Sequence, residues 1–167
     1  MALIHHAPLF VHRTASVGGP PEHRKVVRRY HEGHWDTYGA PFFAPVLAEG
    51  VIVNAFVTID SGMIRPTTVG ARTFIMAHAH LGHDVVVGED CEIGVGVCIS
   101  GEVTIGDRVQ LGGLVWIKPQ VTIGDGARLG GGAVVIRDVP AGEVWAGNPA
   151  KALRSGREAA RRGQADA

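Results

Sequence analysis

The sequence predicts an all-β fold, a parallel β-helix of triangular coils, and three observations carry that prediction. Apolar anchors recur at every sixth residue: Val51, Val57, Met63, Val69, Ile75, Leu81, Val87, Ile93, Ile99, Ile105, Leu111, Ile117, Ile123, Leu129 and Val135. Four residues after each anchor stands another small or β-branched residue, from Ala55 and Ser61 to Ala133 and Val139. Glycine supplies 24 of 167 residues, about twice the usual share, which suits a chain that turns a corner every few residues. A period of six fits neither a helix nor the two-residue alternation of a flat strand. Three hexads close one coil, so residues eighteen apart are expected to stack at a strand spacing of about 4.8 Å.

Taken in order, residues 1–8 read as a lead-in, and Val11, Ala15, Val17 and Gly18 repeat the spacing of a first partial coil. Residues 19–50 break the pattern as a long N-terminal excursion. It carries Pro20 and Pro21, the basic Arg24, Lys25, Arg28 and Arg29, then Tyr30, Trp35, Tyr38, Phe42 and Phe43. So many aromatics do not suit an unstructured loop. Two compatible readings stay open: a flap that caps the coil, or a loop that reaches a neighbouring subunit and lines a site. Regular coils are expected over 51–68, 69–86, 87–104, 105–122 and 123–140, without insertion. Residues 141–149 then close the open end, completing one domain over 1–149, and 150–167 form a short basic helix and tail rich in helix formers. Outward apolar residues, among them Phe56, Phe74, Trp116 and Val134, suggest a subunit contact along the flat faces and hence a homotrimer.

Composition excludes several classes. Sixteen basic residues balance 16 acidic ones, so there is no nucleic-acid signature. Two cysteines make no disulfide framework; Cys91 takes an inward slot and Cys98 has no evident base in its coil. No apolar run is long enough to span a membrane, and the start, with His5, His6 and Pro8, lacks a signal peptide's apolar core. A cytoplasmic protein is the expectation.

Chemistry concentrates in Met76-Ala-His-Ala-His-Leu-Gly-His-Asp84. Coil arithmetic places Asp60 beside His78, Arg65 and Gly101 on either side of His83, Glu102 after Asp84, and Lys118 two coils along from Gly82 on the same corner. A histidine beside a carboxylate is the usual equipment of a general base. A glycine next along the ladder leaves room and offers an amide to a developing oxyanion. Lys118 breaks a glycine slot, as an anion-binding cation would. Three histidines in six residues also admit a metal reading, and a non-catalytic structural solenoid is the third alternative.

Three segments, Ala15-Ser-Val-Gly18, Val57-Thr-Ile-Asp-Ser-Gly62 and Ile75-Met-Ala-His-Ala-His-Leu-Gly-His-Asp84, resemble the left-handed β-helix hexapeptide-repeat acyltransferases. The His-rich coil is similar to that of the UDP-N-acetylglucosamine O-acyltransferases of lipid A synthesis. The resemblance implies acyl or acetyl transfer from acyl-CoA or acyl carrier protein, as co-substrate rather than bound cofactor, to a hydroxyl or amine of a sugar or sugar nucleotide. It implies His83 as general base, Asp84 as its orienting carboxylate and Gly101 as oxyanion donor. It places His80, with Asp60, His78 and Arg65, on the acceptor side, joined by Glu22, His23 and Lys25 from the excursion. Lys118, Gly113 and Trp116 fall to the acyl donor. The ending Trp145-Ala-Gly-Asn-Pro-Ala-Lys151 is similar to CoA-dependent acetyltransferases of this fold, which adds Asn148, Lys151 and Arg154 to the donor site. The same fold hosts the gamma-class carbonic anhydrases, which bind metal through three histidines; His78 and His83 have the required interval, but no metal site is assigned here.

Overall fold

Two inward side chains per hexad build the core. Around one coil these are Val69, Thr73, Ile75, Ala79, Leu81 and Val85, none more than 2% exposed. The computed structural model describes residues 4–5, 10–19 and 42–154. Over these the chain winds as a parallel β-helix whose three faces are three sheets. The first face stacks Ile4–His5, Val46–Leu47, Thr68–Val69, Val86–Val87, Thr104–Ile105 and Thr122–Ile123. The second stacks Phe10–Val11, Ile52–Val53, Phe74–Ile75, Glu92–Ile93, Gln110–Leu111, Arg128–Leu129, Val144–Ala146 and Lys151–Arg154. The third stacks Ser16–Gly19, Thr58–Asp60, His80–Leu81, Cys98–Ile99, Trp116–Ile117 and Val134–Val135.

Such short strands are held from coil to coil, not along their own length. Val86 N–H donates to Val103 C=O at 3.0 Å and Gly88 N–H to Ile105 C=O at 2.8 Å. The last residue of most corners is left-handed: φ is 59° at Arg72, 61° at Asp84, 54° at Asp90 and 64° at Glu102. Each unit's apolar surface is covered only by its neighbours, so a void inside one coil is felt directly. Ile99 is fully buried, and Ile99→Ala is expected to cost about 2–5 kcal/mol, read as a lowered urea midpoint.

The coil arithmetic fails in two places. From Thr68 to Val135 partners are eighteen apart, as Val86 with Thr104 and His80 with Cys98; in the last coil they are sixteen apart, Ile123 with Val139 and Arg128 with Val144, so the expected regular coil over 123–140 is two residues short after Val135. One coil before Thr68 they are twenty-two apart: Val46 with Thr68, Ile52 with Phe74, Thr58 with His80. A four-residue insertion therefore lies between Asp60 and Thr68, and the expected uninterrupted run from Val51 is incorrect. Met63 is not a core anchor but sits half-buried in this insertion. Val53 and Ile59 are core residues of the earlier coils, alongside Val51 and Val57.

The boundaries also shift. The excursion ends before residue 50, because Val46–Leu47 already belongs to the first face. Phe43 forms an antiparallel bridge with Gly62. At the other end Lys151–Arg154 is a strand antiparallel to Val144–Ala146, not the start of the expected helix. The backbone groups of an edge strand favour pairing over a helix with little apolar content of its own. Trp145, 6% exposed, plugs the end of the core, its indole N–H donating to Glu143 at 2.6 Å and its ring under Arg137 at 5.2 Å. The remainder of that expected helix, and Tyr30, Trp35 and Tyr38 of the excursion, lie outside the described residues. No helix among the described residues is long and apolar enough to cross a membrane.

The outward apolar residues do not form one column. Phe74 lies on the second face and Trp116 and Val134 on the third, while Phe56 sits at a corner and stacks on His78.

Candidate functional site

The corner between the third and first faces carries the densest chemistry. Gly82-His83-Asp84 turns it, followed along the helix by Ser100-Gly101-Glu102 and Lys118-Pro119-Gln120. The Glu102 amide donates to His83 C=O at 2.9 Å and the Gln120 amide to Gly101 C=O at 3.2 Å, which fixes this column. His83 Nδ1 is 2.8 Å from Asp84 Oδ2, with the imidazole side chain 19% exposed and the carboxylate 1%.

Asp84 is held by the insertion. Its Oδ1 accepts the amides of Met63 at 3.0 Å, Ile64 at 2.8 Å and Arg65 at 2.8 Å, and the Arg65 Nε–H donates to the Asp84 carbonyl at 3.1 Å. Burial by itself would raise the Asp84 carboxyl; the amides of Arg65 and Ile64, then His83 and Met63, outweigh it and hold the group below the usual carboxylate range. With Asp84 ionised, His83 Nδ1 is the donor of the pair and Nε2 the basic nitrogen. The left-handed φ of 61° at Asp84 is that of the coil's other corners, such as 64° at Glu102.

A depressed carboxyl ties stability to pH. Its contribution is full above the unfolded value near 4 and is lost as pH falls through the lower folded value. Asp84→Asn is expected to lower stability on the order of 2 kcal/mol at pH 7. The gap to the wild type should hold down to about pH 4 and narrow only at lower pH, measured as paired thermal melts from pH 7 downward.

Gly101 is the open neighbour that the sequence suggests. A Cβ there would lie 2.5 Å from His83 Nε2 and 2.6 Å from Cε1, so the ring lies against the bare Cα. The Gly101 amide donates no backbone hydrogen bond among the described residues. His80 is outward on the third face, its Nδ1 2.8 Å from Thr58 Oγ1 and its strand paired with that of Cys98. Burial pushes the Cys98 thiol up, and Cys91 is buried in the core with its thiol pushed up in the same way.

Other expected members stand elsewhere. Asp60 does not stack on His78. It follows Ile59, the partner of Leu81, because the longer coil moves every partner by four residues; it is 8% exposed and pairs in register with Gly19. His78 is exposed on a different corner, stacked on Phe56 with centroids 5.0 Å apart. Arg65 reaches Asp84, not the His83 position eighteen residues on. The donor residues divide. Lys118 is exposed on the His83 corner and Trp116 lies beyond Cys98 on the third face. Gly113 lines an open groove of about 490 Å³ along the second face, with Met76, Val95, Gly112 and Arg128. Asn148 and Lys151 are exposed near the last coil, and Arg154 lies in its terminal strand. Glu22, His23 and Lys25 lie outside the described residues. No group of three His, Cys, Asp or Glu side chains is gathered for a metal among the described residues. The site residues that sequence reasoning missed are Thr58, Gly62 and the amides of Met63 and Ile64.

Known proteins share this coil architecture. Residues 66–101, which start inside the insertion and end at Gly101, match the family described as bacterial transferase hexapeptide (six repeats). The chain is 42% identical over 110 residues to a UDP-3-O-acylglucosamine N-acyltransferase of Methylorubrum extorquens, covering 66% of this chain and 31% of that protein. It superimposes with a TM-score of 0.77 on LpxA from Acinetobacter baumannii, at 25% identity over 92% of this chain and 56% of that one. It also matches a mutant of perosamine N-acetyltransferase from Caulobacter crescentus in complex with CoA and GDP-perosamine, with a TM-score of 0.61 and 29% identity over 78% and 64% of the two chains. The chain thus spans about a third of the length of that curated relative and about half that of LpxA.

Proposed function

We propose, for a chain that belongs to the bacterial hexapeptide-repeat transferase family, that it moves an acyl or acetyl group from a thioester to a hydroxyl or amine of a sugar or nucleotide sugar. The observation that carries this reading is the imidazole of His83, held by a buried carboxylate and lying against the bare Cα of Gly101. His83 Nε2 takes the proton of the acceptor as that atom attacks the thioester carbonyl. The Gly101 amide steadies the tetrahedral oxyanion. The imidazolium, stabilised by Asp84, returns the proton to the departing thiolate. Transfer is direct: the raised thiols of Cys91 and Cys98 are poor nucleophiles at neutral pH.

His80, carried by the same face, and the His83 corner define the acceptor side. Lys118 and Trp116 on following coils, together with Gly113, Asn148, Lys151 and Arg154, are assigned to the donor, acyl-CoA or acyl carrier protein. The chain acts as a homotrimer in the cytoplasm, where such thioesters are made. The perosamine enzyme's complex with CoA and a nucleotide sugar supports this pairing of substrates. The test is thiol release from acetyl-CoA and from acylated carrier protein, with and without UDP- and GDP-linked amino sugars. Acceptor-dependent release is expected; release indifferent to every acceptor counts against the reading. Sedimentation is expected to give three times the chain mass.

A further inference from the structure

We propose that the inserted turn from Gly62 to Arg65 is the positioning element of this site: its amides seize one oxygen of Asp84 and thereby aim the other at His83. The inference rests on the reading of His83 as the base and assigns what sets that base.

The carboxylate divides its two oxygens cleanly. Oδ1 takes the amides of Met63, Ile64 and Arg65, all within 3.0 Å, while Oδ2 faces His83 Nδ1 at 2.8 Å. At 1% exposure, water does not compete for either. Rotation of the carboxylate would break these amide bonds together, so its orientation is set by the turn and not by its own rotamer preference.

The turn is itself pinned at both ends. Gly62 exchanges both backbone hydrogen bonds with Phe43, at 2.8 and 2.9 Å. A Cβ at Gly62 would lie 1.6 Å from the Arg65 carbonyl oxygen and 3.1 Å from Asp84 Oδ1, so the turn closes this tightly only over glycine. At the other end the Arg65 side chain donates to the carbonyl of Asp84 itself. The turn therefore holds the residue at its side chain and its backbone, and a regular coil, four residues shorter, has no such chain to spare.

The chemical consequence concerns a tautomer. A neutral imidazole that accepts a proton at Nε2 must carry its own proton on Nδ1, and the partner of Nδ1 decides this. A fixed, ionised Asp84 imposes it; a carboxylate free to turn does not.

The test is ¹⁵N NMR of His83 at alkaline pH, assigned by loss of its signals in His83→Gln, alongside kcat and KM. Ile64→Pro deletes one of the amides, and Arg65→Met removes the guanidinium while leaving all of them. Both are expected to mix the Nε2–H tautomer into a wild-type spectrum that has only Nδ1–H. For Ile64→Pro kcat should fall about 10–100-fold, the range typical of lost outer partners of a functional histidine, with acceptor KM within about twofold. The pure Nδ1–H tautomer together with wild-type kcat in Ile64→Pro overturns the proposal; if that variant does not fold, the same result in Arg65→Met does so. The tautomer needs no substrate, so it judges the turn separately from the catalytic reading, which fails instead if His83→Ala keeps full turnover.

Discussion

His83→Ala is expected to lower kcat about 10²–10⁴-fold, the contribution usual for a positioned general base, while leaving the coil and its melting temperature nearly unchanged. The imidazole is at a corner, outside the inward slots that build the core, so its loss opens no internal cavity. Asp84 then remains buried with its three amides and still has partners for its charge. The loss should appear in kcat and kcat/KM together, because the proton moves only as the acceptor attacks. Steady-state kinetics with the best donor and acceptor, set beside a thermal melt, check both halves. A variant that unfolds at lower temperature and loses activity in proportion would describe a structural histidine.

Gly101→Ala is the second large effect. The backbone accepts it, since Gly101 is not among the residues with left-handed φ. The side chain does not: its Cβ would lie 2.5 Å from His83 Nε2, well inside van der Waals contact, and the ring has to leave the nitrogen's present position. Displacements of about 1 Å are enough to cost about 10²-fold in rate, and a loss of at least that size in kcat is expected with stability within about 1 kcal/mol. The measurement is kcat together with a urea midpoint. Wild-type kcat in a folded Gly101→Ala protein would mean that the basic nitrogen works from some other position.

Much of this was legible in the residues, and the misplaced site residues share one cause. The coils, the inward place of Cys91, the Thr104–Thr122 ladder and the juxtaposition of His83 with Gly101 all follow from a period of six, because between Thr68 and Val135 nothing interrupts it. The insertion was invisible to that count for a geometric reason. Each hexad points two residues inward, two positions apart, as Ala79 and Leu81 do. Adding four residues carries the second inward slot onto the phase of the first. Val51 and Val57 thus share a six-residue rhythm with Val69 and Ile75 while filling different slots, and Met63 completes the rhythm without entering the core. The trace left in the sequence is the second apolar series, Leu47, Val53 and Ile59, which stops at Met63-Ile-Arg-Pro66. Asp60 and Arg65 were misplaced by that slip alone. The strand at Lys151–Arg154 was hidden for another reason: its helix-forming residues are overridden by the open sheet edge they meet.

The most direct measurement is a crystal structure with a nucleotide-linked amino sugar and a non-reactive thioester analogue bound together. The account predicts the acceptor hydroxyl or amine about 3 Å from His83 Nε2, with the thioester carbonyl oxygen directed at the Gly101 amide. An acceptor seated instead in the second-face groove between Met76 and Arg128, with His83 untouched, would contradict it.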